Sequence, residues 1–205
     1  MFGLSNIHLY SQSIDYFANT SDLNTFTNTW SLSVEEQFYF IFPLLVWVSG
    51  FARQTEKGTR NLFLTISFLA TISLFSFLHL YEINQPAAYF LMPTRFWEIS
   101  SGCLIFLLLN KTQGPLLNIL VKIPPIFLIS LLFIIFFLPV SFSTQTIICT
   151  VVITSTLLCS LRKDKWEYIL FANKKIVYIG LISYSLYLWH WGVLAISRLS
   201  IGIHW

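Results

Sequence analysis

Charge is scarce in this 205-residue chain. Lys, Arg, Asp and Glu together make up only 10% of it, whereas soluble domains carry about 25%. That shortage excludes an ordinary water-soluble domain. The formal net charge of +3 gives no sign of a nucleic-acid partner. Cysteine is equally thin: Cys103, Cys149 and Cys159 all fall in apolar runs. Cys149 and Cys159 are separated by roughly 15 Å along one expected helix, too far to bridge. No zinc, haem or disulfide spacing occurs. No metal and no bound cofactor is therefore expected, and the thiols read as small buried hydrophobes. Repeats, low-complexity stretches and linkers are also missing, so nothing divides the chain into separate domains.

What is present is apolar. Hydrophobic residues reach 56%, aromatics 18% with 20 Phe, and the mean hydropathy is +0.71. These values indicate an all-α integral membrane protein embedded in a lipid bilayer. A span needs about 20 residues. Six candidates lie at about 34–51, 61–80, 89–109, 126–142, 144–161 and 176–197. The fourth and fifth are short and meet at "PVSFST", which reads as a tight turn or as the bend of a hairpin that barely crosses.

The charges are distributed unevenly. Arg53, Lys57 and Arg60 lie in one loop, Lys111 and Lys122 in the next, and Arg162, Lys163, Lys165, Lys174 and Lys175 in a third. Alternating spans put all three loops on one side, which the positive-inside rule makes cytoplasmic. Residues 1–33 and the C-terminus then lie outside. Residues 1–33 lack Lys and Arg and show no signal-peptide pattern. Further helices upstream are expected, so the chain reads as the later part of a longer protein.

Polar side chains on membrane helices concentrate in three stretches. In "TWSLSVEEQFY", Ser33 and Glu36 have capping-box spacing, and acids complement the positive end of the helix dipole. This bland reading leaves Trp30, Gln37 and the second acid, Glu35, unexplained. Neighbouring helix positions differ by about 100°, so Glu35 and Glu36 cannot share a proton as a dyad. At most one looks into the bundle. In "MPTRFWEISSG", Arg95 and Glu98 are spaced i,i+3 and can pair. They form either an interfacial ion pair beside Trp97 or a site for an anionic or polyhydroxyl group. The small residues "SSG" permit close helix approach. In "ISYSLYLWHWGVL", His190 lies about 21 Å along its helix from Ile176, on the same face as Tyr187. It is either a functional imidazole, the default for an intramembrane His, or part of an aromatic girdle with Trp189 and Trp191. All three stretches lie at the outer ends of their helices.

"TWSLSVEEQFYFIFP", "RFWEISSG" and "ISYSLYLWHW", in this order, resemble acyltransferase family three. Those proteins O-acylate sugars of lipopolysaccharide, peptidoglycan, exopolysaccharide or macrolide glycosides. The resemblance implies a multi-pass protein of the bacterial inner membrane. It implies an acyl group, usually acetyl, taken from cytoplasmic acetyl-CoA and delivered to a glycan acceptor outside. The family carries about ten spans, including an early helix with Arg and His that this chain lacks; the six here match the later ones. Many members have His where this chain has Asn28, and an amide cannot shuttle protons near neutral pH.

Carried onto this sequence, the resemblance implies catalytic roles for His190, Glu35 and Glu36, and acceptor contacts for Trp30, Arg95, Glu98 and Tyr187. The basic segment Arg162–Lys175 attracts either CoA phosphates or anionic headgroups. The rival expectations are an inactive remnant or structural subunit, and a small transporter. Oligomeric state is not legible.

Overall fold

The computed structural model describes residues 2–14, 28–111, 120, 122–161 and 166–201. Among them no strand occurs. A short 3-10 turn, Phe2–Leu4, leads into α1 (Ser5–Ile14). Then follow α2 (Thr29–Ser49), α3 (Glu56–Ile83), α4 (Gln85–Phe90) and α5 (Met92–Lys111). The remainder comprises α6 (Pro125–Ile135), α7 (Ser143–Ser160), α8 (Trp166–Phe171) and α9 (Lys174–Ile201). Asp15 and Asp22, and the basic residues Arg162, Lys163 and Lys165, lie outside the described residues.

Among the described residues three helices are long and apolar enough to cross a membrane: Glu56–Ile83, Ser143–Ser160 and Lys174–Ser197. This is an all-helical membrane protein. Helices α2 and α5 have 21 and 20 residues, but their first two turns carry Glu35, Glu36, Arg95 and Glu98. The apolar run expected at 126–142 does not fold as one helix. Helix α6 has 11 residues and stops at Ile135, well short of the ~20 needed. A 3-10 turn, Val140–Phe142, then leads into α7, as the "PVSFST" reading required.

Local chemistry sets the breaks. Gly50 ends α2 in the left-handed conformation, φ 73°, and its N–H bonds the Trp47 carbonyl. That conformation suits Gly because it has no Cβ. Thr55 caps α3 by accepting from the Gly58 N–H at 3.1 Å. Gly58 is required for a different reason: a Cβ there would fall 2.5 Å from the Gly50 carbonyl oxygen. Asn84 caps α4 through the Ala87 N–H.

The α3–α5 pair anchors the bundle. Leu62, Ile66 and Leu107 pack together at one end, and Phe77, Ala88 and Trp97 at the other. Lipid is as apolar as these side chains, so close packing and interhelical hydrogen bonds hold the pair rather than escape from water. Ser73 supplies such a bond. Its hydroxyl donates to the Pro93 carbonyl at 2.6 Å and accepts from the Trp97 backbone N–H at 3.1 Å. A side chain of α3 thus bridges the two groups that α5 would otherwise join to each other. Ser100, from the small-residue stretch, is completely buried, whereas a Cβ on Gly102 would meet open space. Of the thiols, Cys159 is buried, Cys103 half-buried and Cys149 exposed. The expectation of three buried thiols therefore fails at Cys149.

Candidate active site

The first two turns of α2 organise the site. The helix begins at Thr29, earlier than the apolar pattern indicates, and Asn28 at its start makes no side-chain cap. The Ser33–Glu36 capping box is not formed. Ser33 lies a full turn inside the helix, completely buried. Its hydroxyl donates to the Thr29 carbonyl at 3.2 Å and accepts from the Ser5 N–H at 3.2 Å. Helix α1 satisfies Ser33, so no acid is needed there. Gln37 donates to the Gly3 carbonyl at 2.8 Å and to Asn6 Oδ1 at 2.9 Å. Glu36 lies on the same side, 3.3 Å from where a Cβ of Gly3 would stand.

Glu35 occupies a different face and is exposed. One cavity, about 460 Å³, is lined by Ser31, Leu32, Glu35, Ser183, Tyr184 and Tyr187. A second, about 120 Å³, is lined by Trp30, Ser31, Val34, Glu35, Arg95, Glu98 and Ile99. Ser31 and Glu35 line both, so the two cavities adjoin as a trough across α2. One acid faces the trough and the other does not, as the 100° offset requires.

Arg95 and Glu98 pair at 2.5 Å. Arg95 is buried, and its Nε donates to the Tyr89 carbonyl at 3.2 Å. Its guanidinium carbon lies 4.9 Å from the Tyr89 ring centroid, 5.6 Å from Trp30 and 5.9 Å from Phe77. Rings at these distances hold a desolvated cation through their negative faces. Trp30 packs on Tyr89 with centroids 4.5 Å apart. The cation is thus fixed between a carboxylate and an aromatic box at the end of the trough.

Helix α9 contributes Tyr187 and His190, which share a face; their rings are 5.8 Å apart. The Tyr187 hydroxyl donates to the Asn28 carbonyl at 2.6 Å. A phenol has one proton, so the Ser31 hydroxyl is the donor in its 2.6 Å contact with Tyr187. His190 Nδ1 lies 2.7 Å from the Tyr187 carbonyl. A carbonyl only accepts, so Nδ1 carries the proton and Nε2 holds the lone pair. That lone pair takes an N–H of the Asn28 amide at 3.1 Å. His190 is exposed and lines neither cavity; Tyr187 connects it to the trough.

The structure therefore brings Trp30, Glu35, Arg95, Glu98, Tyr187 and His190 to one end of the bundle. It leaves Glu36 against the amino-terminal turn. Sequence reasoning missed Ser31 as a trough residue and Asn28 as the partner of His190. A hydroxyl next to Trp30 was the available signal for the first; the second joins positions too far apart in sequence to be read. Among the described residues no group of three His, Cys, Asp or Glu could hold a metal ion.

Helices long and apolar enough to cross a membrane, with an acid, a fixed cation and an oriented imidazole gathered at one end of the bundle, define a membrane protein with a polar cluster at that end. The profile of the family described as "Acyltransferase domain" matches residues 1–205, and the chain belongs to that family. O-acetyltransferase OatA of Staphylococcus aureus strain NCTC 8325 is 28% identical over 215 residues, covering 95% of this chain and 33% of the relative. The strain COL OatA gives the same values. A further Staphylococcus aureus strain COL protein, SACOL0978, is 30% identical over 217 residues, covering 95% of this chain and 34% of its own length. The chain spans about a third of the length of the curated relatives it matches. No solved structure matches it significantly.

Proposed function

We propose that the protein works as a membrane-bound O-acyltransferase. It moves an acyl group, acetyl above all, from a cytoplasmic CoA donor to a hydroxyl of an extracytoplasmic glycan. Family membership and the O-acetyltransferase names of its relatives support the reaction class. The observation that carries the reading is the trough: Glu35 and Ser31 at its centre, Trp30 with the Arg95–Glu98 pair at one end, and Tyr187 leading to His190 at the other.

Each group has a defined task. Glu35 and the Arg95–Glu98 end bind sugar hydroxyls, which present both donors and acceptors. Trp30 offers an apolar ring edge beside them. His190 Nε2 exchanges the Asn28 N–H for the acceptor hydroxyl and takes its proton as the sugar oxygen bonds the acyl carbon. His190 then returns that proton to the carrier atom whose bond to the acyl carbon breaks. General base assistance of this kind contributes about 10²–10⁴-fold. Glu36 is given no direct part in the reaction.

The proposed topology has about six segments in the bilayer, with α6 and α7 as a hairpin whose short first arm barely crosses. Residues 1–33 and the C-terminus face outside the bacterial inner membrane, and the basic loops face the cytoplasm. Arg53 in the α2–α3 loop and Lys57 in the first turn of α3 stand at the opposite end of α2 from the trough, in keeping with that arrangement. Cysteine labels placed at Asp22 and Lys163 should react from opposite faces.

The decisive experiment is mass spectrometry of cell-surface glycans from cells carrying the gene or its His190→Ala variant. The expected result is loss of the acetyl mass increment with the variant protein still in the membrane. Unchanged acetylation by His190→Ala overturns the role of His190. Unchanged glycans on deletion of the gene overturn the reaction.

A further inference from the structure

The trough has acceptors to spare and an acid without a counter-charge. Resting on the reading of the trough as the acceptor site, we infer that it takes a sugar unit bearing an ammonium group, with Glu35 as the residue that selects it.

The first argument is charge. The charged side chains lining the two cavities are Glu35, Arg95 and Glu98. Arg95 and Glu98 are bound to each other, so their charges cancel. Arg95 is also buried and bonded to the Tyr89 carbonyl, with the rings of Tyr89, Trp30 and Phe77 around it. It is not free to turn toward a second anion. Glu35 is exposed. Among the described residues it has neither an ion-pair nor a hydrogen-bond partner. A negative charge therefore stands uncancelled in the middle of the trough. The cations of α9 are distant along the helix: Lys175 precedes Tyr187 by roughly 18 Å and Arg198 follows it by roughly 16 Å.

The second argument is the supply of protons for hydrogen bonding. The Ser31 hydroxyl donates to Tyr187, the Tyr187 hydroxyl to the Asn28 carbonyl and the Ser183 hydroxyl to the Gly180 carbonyl. Ser31 and Ser183 keep lone pairs for a ligand but have no proton left to offer. Of the hydroxyls lining the larger cavity, Tyr184 alone retains a free one among the described residues. The ligand must therefore bring the donors. An ammonium brings three donors and no acceptor, and aromatic faces such as those of Tyr184 and Tyr187 attract it. A uronic acid brings a second carboxylate to lie beside Glu35. A neutral sugar meets the hydrogen bonds but leaves the charge unanswered. The cavity of about 460 Å³ is inside the ~300–1,000 Å³ range of small-molecule sites.

This pairing also accounts for oxygen as the acylated atom. A free amine is a better nucleophile than a hydroxyl, but protonation occupies its lone pair. A carboxylate alongside favours the protonated form. Held by Glu35, the nitrogen stays an ammonium, and the hydroxyl that reaches His190 Nε2 is the group with electrons to give.

Saturation-transfer NMR on the purified protein in nanodiscs of zwitterionic lipid reads binding without any acyl transfer. The probes are the methyl glycosides of glucosamine, glucose and glucuronic acid, just below neutral pH. Wild type should bind the glucosaminide about two- to fivefold more tightly than the glucoside, the worth of an exposed ion pair, and the glucuronide most weakly. The differences should narrow as salt is raised. Glu35→Gln should bind glucosaminide and glucoside alike, and Glu36→Gln should keep the wild-type order. Glu35 is exposed and bonds nothing in the described protein, so its variant should fold. Equal binding of the three glycosides by wild type, binding of none, or a preference that survives Glu35→Gln overturns the inference. None of these results touches the O-acyltransferase reading, which fails separately if deleting the gene leaves the surface glycans unchanged.

Discussion

Two junctions are made on the same two turns of α2, and they are built differently. On one side α1 docks through Ser5, Asn6, Ser33 and Gln37. Asn6 also donates to the Phe90 carbonyl at 3.1 Å, and both Asn6 and Ser33 are buried. On the other side α9 meets α2 through Asn28 and Ser31, which bond Tyr187 and His190. Only 6% of the apolar stretch of α9 is buried. The α1 junction carries about twice as many polar bonds as the α9 junction, and its Asn6 and Ser33 are enclosed. A buried hydroxyl that loses its partner cannot turn to water, so the α1 contact is held firmly. At the α9 contact the Asn28–His190 bond is exposed, and a ligand hydroxyl can replace it. Chemistry belongs where the seam is weak.

Four substitutions press on that contrast, in descending order of expected effect. Arg95→Met leaves Glu98 facing the aromatic box without its cation. Unfolding free energy in detergent should fall by about 3 kcal/mol. The double variant Arg95→Met/Glu98→Leu should recover most of it; if it does not, the pair is not what holds that end. Ser33→Val strips the enclosed junction of its shared hydroxyl. A loss of about 1–3 kcal/mol is expected, together with earlier proteolytic release of the segment before α2. Tyr187→Phe deletes two bonds of the open junction. Stability should change by about 1 kcal/mol or less, while spin labels on α2 and α9 report a broader distance distribution. Should Tyr187→Phe destabilise more than Ser33→Val, the contrast between the junctions is reversed. Glu36→Gln should have the least effect, within about 0.5 kcal/mol, and should leave glycan acetylation unchanged where Glu35→Gln lowers it.

What could be read beforehand was whatever one helix decides by itself. The Arg95–Glu98 pair and the shared face of Tyr187 and His190 follow from helical spacing alone. So does the divergence of Glu35 from Glu36. The errors arose where a second element intervened. Ser33 looked like a cap because a hydroxyl three residues before an acid usually is one; α1 instead buries it. The run 126–142 looked continuous because composition does not register that Phe136 through Pro139 leave the helix. The meeting of Asn28 with His190 depends on helices at opposite ends of the sequence, and no local pattern encodes it.

The imidazole takes its tautomer from its own backbone: the proton on Nδ1 is held by a carbonyl one turn earlier in α9. Nothing across the junction is needed to set it. If α9 swings outward to admit a sugar, the base travels already oriented, and departure from Asn28 uncovers the basic nitrogen at the moment a hydroxyl arrives.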